Sequence, residues 1–264
     1  MRILGIDTAT SIASVALIED GELAAEEIQP QTGTAVAASS AAPRANHAET
    51  ILPLIDAVLG RHGLSASQLS GLAASIGPGS FTGLRIGLST IKGLGYSSGI
   101  PVVGVSTLLA NASRTTEWEG LICSFLDARK NEVYAALFRK SGSKLSRFTQ
   151  DIVAPARSVV RLVQSIGDRA PCLFVGEGAE VYRQLLSETL GTQAHLLSAA
   201  ALPSVAAAVA RVSEERFRRN DVDPLATLIP LYLRPPEAEL RSRDTLQLCD
   251  ITVQSNVDKN PAVR

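Results

Sequence analysis

Two aspartates end hydrophobic runs at corresponding places in the two halves of the chain: Asp7 before Thr8-Ala9-Thr10-Ser11, and Asp127 before Ala128-Arg129-Lys130-Asn131. An acid at the turn after a first strand is where actin-like ATPases and sugar kinases clamp phosphates and a metal. Such loops need glycine, because a backbone that lays N–H groups against phosphate oxygens leaves no room for Cβ atoms. Neither loop contains one, which argues against nucleotide hydrolysis and leaves turn capping as the plain role of both aspartates. The weaker nucleotide candidates are Asp7 and Thr8, joined by Gly79 and Ser80, where glycines and a serine at a helix start offer unpaired N–H groups but no Walker lysine follows. Val175-Gly176-Glu177-Gly178 stands where such folds receive adenosine, although a lone GxG is more often only a turn. His47 invites a metal, but the second histidine of a helical pair would fall at Ile51. With no HExxH motif and no paired histidines, nothing supports peptidase chemistry.

The helix expected over Ser80 to Ser98 carries Gly83, Gly87, Gly93 and Gly95, each about 1 kcal/mol worse than alanine in a helix interior. Gly83, Gly87, Ile91 and Gly95 share one four-residue row, a groove into which another helix can settle. Spacing alone fits a helix of the same domain as well as one from a partner. His47, Ile51 and Ile55, on a helix from about Asn46 to Leu59, complete the candidate surface.

These residues need elements to position them. Arg2–Ile6, Ser14–Ile18 and Glu22–Ile28 read as a three-strand meander, with Asp20-Gly21 as the hairpin turn. The first helix follows, kinked at Pro53, then a strand over Gly71–Ile76, the glycine-bearing helix, and a strand over Pro101–Val105 leading into a helix near Ser106. The second half repeats the order. Its strands are Leu121–Leu126, Glu132–Arg139 and Lys144–Val153, then a helix from Pro155 to about Ile166, strand Cys172–Val175, and helices Ala179–Leu190 and Ser204–Arg219. Two copies of βββαβα predict a duplicated, actin-like α/β fold of the ASKHA, ribonuclease H-like class. The domains are expected at 1–106, with helix 204–219 packing back on it, and at 107–236, facing each other across a cleft. Residues 30–45, poor in large apolar side chains, predict a flexible loop, and 237–264 a loose tail.

The 264 residues are 45% hydrophobic and carry 25 Lys+Arg against 26 Asp+Glu. That balance lacks the basic excess of a protein that grips nucleic acid alone. No stretch reads as a secretory signal or membrane span, and Cys123, Cys172 and Cys249 show no CxxC spacing. A cytoplasmic protein with reduced thiols and no cofactor is expected.

The run from Gly77 to Gly87, GPGSFTGLRIG, resembles the signature of the TsaB family of tRNA threonylcarbamoyladenosine biosynthesis subunits, relatives of which were once grouped with M22 glycoproteases. Ile6-Asp7-Thr8-Ala9-Thr10, His47-Ala48-Glu49, Gly104-Val105-Ser106-Thr107-Leu108, Asp127-Ala128-Arg129 and Pro230-Leu231-Tyr232-Leu233-Arg234 resemble its other landmarks, in order. The resemblance implies a non-catalytic subunit that dimerises with the threonylcarbamoyltransferase TsaD, alongside the ATPase TsaE. It further implies pairing through the helices at Asn46–Leu59 and Ser80–Ser98, homodimers through the same surface, and tRNA reached through the complex. An actin-like ATPase or kinase is the alternative, a metal-dependent peptidase the third.

Overall fold

A computed structural model of the chain describes residues 1–29, 47–166, 170–197 and 202–234. Met1–Leu231 form one compact unit, and residues from Tyr232 onward belong to a second. The expected loop at 30–45 and tail at 237–264 lie outside the described residues.

The first half runs β1 (Arg2–Asp7), β2 (Ser14–Glu19), β3 (Glu22–Ile28), α1 (His47–Arg61), β4 (Gly71–Gly77), α2 (Phe81–Ser98) and β5 (Val102–Ser106). Asp20 and Gly21 both take positive φ, 49° and 89°, closing the β2–β3 hairpin as its Asp-Gly pair requires. The sheet order is β3-β2-β1-β4-β5, with β1–β2 and β2–β3 antiparallel and β1–β4 and β4–β5 parallel. Helix α3 (Thr107–Ser113) leads to β6 (Gly120–Arg129), β7 (Glu132–Ser141), β8 (Lys144–Arg147), β9 (Ile152–Pro155), α4 (Ala156–Ile166), β10 (Cys172–Val175), α5 (Glu177–Val181), α6 (Arg183–Leu190), β11 (Ala194–Leu196) and α7 (Val205–Arg218). The second sheet is ordered β11-β10-β6-β7-β8, with β9 also on β7. Reversed, that is the order of the first sheet, so the duplication extends to topology and the fold is actin-like.

Three local readings of the sequence need correction. The single strand expected over 144–153 is two, because the N–H groups of Phe148 and Thr149 both donate to the Leu137 carbonyl, at 2.8 and 3.2 Å, which halts the ladder. Pro155 closes β9 instead of opening α4. The helix expected over 179–190 begins at Glu177 and breaks at Tyr182, whose φ of −107° and ψ of 21° leave the helical region.

Strand alternation splits the core of the first half. Leu4, Ile6, Val15, Leu17 and Leu72 face Ile51, Ile55, Val58, Leu88 and Ile91 of α1 and α2. Ile3, Ile18, Ala73 and Val103 face Val205, Ala208, Val209 and Ala210 of α7. Gly5 and the alanines of α7 let that helix approach closely, since a Cβ on Gly5 would strike the Ala206 carbonyl. Beyond α7 the chain crosses back over the first sheet: Asp223 N–H donates to Val102 O at 2.8 Å, Leu228 fills the space beside Gly104, and Leu231 N–H donates to Ile76 O at 2.6 Å. No helix among the described residues is long and apolar enough to cross a membrane.

Candidate functional site

β1 ends at Asp7, and the turn from Thr8 to Ala13 carries the chain to β2. The Asp7 carboxylate is fully buried. One oxygen accepts the Ala9 N–H at 3.2 Å and the Ser75 hydroxyl, and the other accepts the Thr10 hydroxyl. Burial pushes its pKa up, opposed by those hydrogen bonds, that from Ser75 foremost. The Thr8 hydroxyl donates to the Gly83 carbonyl at 2.7 Å, and the Ser80 N–H donates to the Ala9 carbonyl at 2.7 Å. Ser80 caps α2, its hydroxyl oxygen accepting the Gly83 N–H at 3.2 Å. The Ala9 carbonyl also occupies the space that a Cβ on Gly79 would need. Asp7, Thr8, Gly79 and Ser80 are thus brought together, and what they hold is the turn itself. Two donors at the start of α2 that an incoming phosphate would use are spent on the Ala9 carbonyl and the Ser80 side chain.

His47 opens α1 beside this turn, its Nδ1 3.2 Å from Gln29 Oε1. Burial lowers its pKa, and the Asp7 charge opposes the shift. Among the described residues no three His, Cys, Asp or Glu side chains cluster to hold a metal ion.

The second half presents the matching turn at Asp127, whose Oδ1 accepts the Arg129 N–H at 3.0 Å. Arg129, Lys130 and Asn131 all sit in the left-handed region, with φ of 64°, 54° and 61°, without the glycines that would make it cheap. Gly176, with φ of 111°, and Gly178 both abut the Phe125 carbonyl, each 2.7 Å from where a Cβ would stand, so this GxG serves close packing of α5 on β6. Between them Glu177 reaches the first half, accepting the Ser11 N–H at 3.2 Å. Burial pushes Glu177 up, helped by the charges of Asp127 and Asp7 and opposed by Ser11. Sequence reasoning did not single out Ser75 or Glu177. An acid in the first turn of a helix, at a strand-to-helix turn, was the signal available for Glu177.

The glycine row of α2 is filled from within. A Cβ on Gly83 would strike the Thr8 carbonyl, one on Gly87 the Thr8 hydroxyl, and one on Gly95 would lie 2.8 Å from Val102 Cγ2. Ile51, Ile55 and Ile91 are buried in the core between α1, α2 and the sheet. The spacing predicts another helix in this groove, but its glycines meet a turn and a strand of their own chain, so a long charged side chain at Gly87 would strike the Thr8 turn. The outward sides of the same helices carry Leu52 and Asp56 on α1 and Ser89, Gly93 and Tyr96 on α2. Leu52 is 53% exposed and Tyr96 86%, and nothing lies within 4 Å of a Cβ on Gly93.

Known proteins share this architecture. The family model described as TsaD, tRNA N6-adenosine threonylcarbamoyltransferase, matches residues 26–242. The TsaB protein of Escherichia coli is 34% identical over 194 residues, 72% of this chain and 77% of that one. The TsaB protein of Bacillus subtilis is 28% identical over 241 residues, 91% and 97% of the two chains. YeaZ from Pseudomonas aeruginosa superposes with a TM-score of 0.69 at 26% identity, over 88% of this chain and 99% of that structure. With its two-sheet duplication, its Asp7 turn locked onto the start of α2 and these matches along most of its length, the chain belongs to the TsaB family of tRNA threonylcarbamoyladenosine biosynthesis proteins.

Proposed function

We propose that this chain is a non-catalytic partner subunit of a cytoplasmic tRNA threonylcarbamoyladenosine synthesis machinery. It pairs with a TsaD-type threonylcarbamoyltransferase, works alongside a TsaE-type ATPase, and meets tRNA within that assembly. The observation that carries the non-catalytic reading is the Ser80 N–H bonded to the Ala9 carbonyl: the chain's own backbone stands where an actin-like enzyme would receive phosphate. The pairing surface is assigned to the outward sides of α1 and α2. His47, Ile51, Ile55, Gly83, Gly87, Ile91 and Gly95 support those helices from beneath, and Leu52, Gly93 and Tyr96 form the contact layer. An exposed glycine in a helix interior with open space beside it fits a partner backbone that approaches closely. The same surface serves a homodimer when the partner is absent.

Light scattering of the chain alone and mixed with the TsaD-type protein of the same organism, followed by tRNA threonylcarbamoylation with and without the chain, tests this reading. A one-to-one complex whose activity requires the chain is expected. No complex, together with ATP turnover by the chain alone, would return the case to the actin-like ATPases.

A further inference from the structure

The chain is almost neutral overall, yet its cations are not evenly spread. Residues 139–148, at the β7–β8 hairpin, read Arg-Lys-Ser-Gly-Ser-Lys-Leu-Ser-Arg-Phe, four cations with no carboxylate. Gly142 turns the hairpin with φ of 57°, and Ser141 pairs with Lys144 and Phe138 with Arg147 across it. The other basic run, at the end of α7, is neutralised where it stands: Arg216 pairs with Asp221 and Asp223, Arg218 with Glu214, and Arg219 with Glu215. On the hairpin only Arg147 has such a partner, Asp151. Arg139, Lys140 and Lys144 make no ion pair among the described residues, and Arg139 and Lys144 are exposed.

Cations on an edge strand can serve merely to repel a second strand. That accounts for Lys144 on β8, which ends the sheet, but not for Arg139 and Lys140, because β7 is paired on both sides, by β6 and β8. Two guanidinium groups are also held in place by rings. Arg147 lies 4.8 Å from the centre of the Phe138 ring, and Arg139 5.8 Å from that of Phe148, itself 48% exposed. Arg139 and Lys144 share one side of the ladder, Arg139 opposite Ser146 and Lys144 opposite Ser141, so both can meet a nucleic-acid backbone from that side. The base of the hairpin meets the first half of the chain: Arg147 Nη2 comes within 3.4 Å of the Ser106 hydroxyl, and Ser106 pairs with Gly77, the last residue of β4.

We propose that the β7–β8 hairpin is an RNA-contacting rib, with Arg139 and Lys144, exposed on the same side of the hairpin, binding the phosphate backbone of the tRNA carried by the assembly. The inference rests on the proposed function for the identity of the RNA. The rib supplies an electrostatic, sequence-independent contact and leaves base reading to the partner.

The test uses the full chain preassembled with the TsaD-type protein and measures binding of tRNA across a series of potassium chloride concentrations. Arg139→Glu/Lys144→Glu is expected to weaken binding roughly tenfold at low salt and to reduce the slope of log K against log salt by about 2, as for two lost phosphate contacts. Lys144→Gln shows a smaller loss in the same direction, and Arg218→Glu, on the neutralised run, shows none. Light scattering of each variant with the partner protein should match the unsubstituted chain. An intact complex with unchanged tRNA affinity and slope overturns the rib. So does a weakened protein complex with unchanged tRNA affinity, which assigns the patch to an acidic protein surface. Failure of the unsubstituted chain to form any complex is read before tRNA is added and counts against the proposed function itself.

Discussion

Asp7 ends β1 in the first half and Glu177 opens α5 in the second; both acids are pushed up by burial, but they are differently compensated. Asp7 accepts from one N–H and two hydroxyls. Glu177 is compensated by Ser11 alone, through its side chain and its N–H, and has two nearby carboxylates that disfavour its charge. Its raised pKa has a definite sign in stability. Folded chains hold the proton over a range where unfolded chains have lost it, so Glu177 costs nothing below the ordinary glutamate value of 4.5 and increasingly destabilises the fold as pH rises through its folded value. Gln at this position keeps an oxygen for the Ser11 N–H and has no proton to lose. Glu177→Gln is therefore expected to gain stability relative to the parent as pH rises, the gain vanishing in acid. Urea unfolding of both proteins from about pH 4 to about pH 8 measures the difference; a pH-independent difference would mean that Glu177 titrates as an exposed acid.

At the scale of elements, α2 shows two uses of glycine on one helix. Gly83 meets the Thr8 backbone carbonyl, which cannot move without breaking the β1–β2 turn, whereas Gly93 meets nothing. Gly83→Ala should destabilise by about 2 kcal/mol, overpacking outweighing the better helix propensity. Gly93→Ala should stabilise the isolated chain by about 1 kcal/mol. Thermal unfolding of the two variants decides, and a destabilising Gly93→Ala would contradict the open outer side. This helix also marks how far the sequence reads. Its period identified which residues share a side, and Ser80 located its start, because both are local properties. What covers each side depends on residues far along the chain, and the Thr8 turn, 75 residues from Gly83, leaves no local trace. The meander, β4 and β5 were legible for the same local reasons. The break after Arg147 was not, since it arises from two N–H groups sharing one carbonyl on another strand. Nor was the bond from Glu177 to Ser11, which joins the two halves.

For the unit Met1–Leu231, chain order and spatial order disagree in a way that governs folding. One side of the first sheet, with Ile3, Ile18, Ala73, Val103 and Val105, is covered by α7, which the chain supplies only after completing the second half. The segment that follows adds Leu225 and Leu228 to the core on the other side of that sheet. The stretch from α7 to Leu231 is thus a structural part of the first sheet's surroundings, and Arg114, at the end of α3, ties the halves further, its Nε donating to the Pro203 carbonyl at 2.7 Å. Residues 1–106 alone would leave a row of β-branched side chains bare to water, at about 25 cal/mol for each Å² not buried. This fragment is therefore expected to lack a cooperative thermal transition, and a peptide spanning 202–231, added in trans, should restore one by covering the sheet and completing its core. Circular dichroism melting of the fragment, with and without the peptide, reads the outcome. A sharp transition in the fragment alone would show that α1 and α2 suffice, and that the return of the chain to its first sheet is an addition to the fold and not a condition of it.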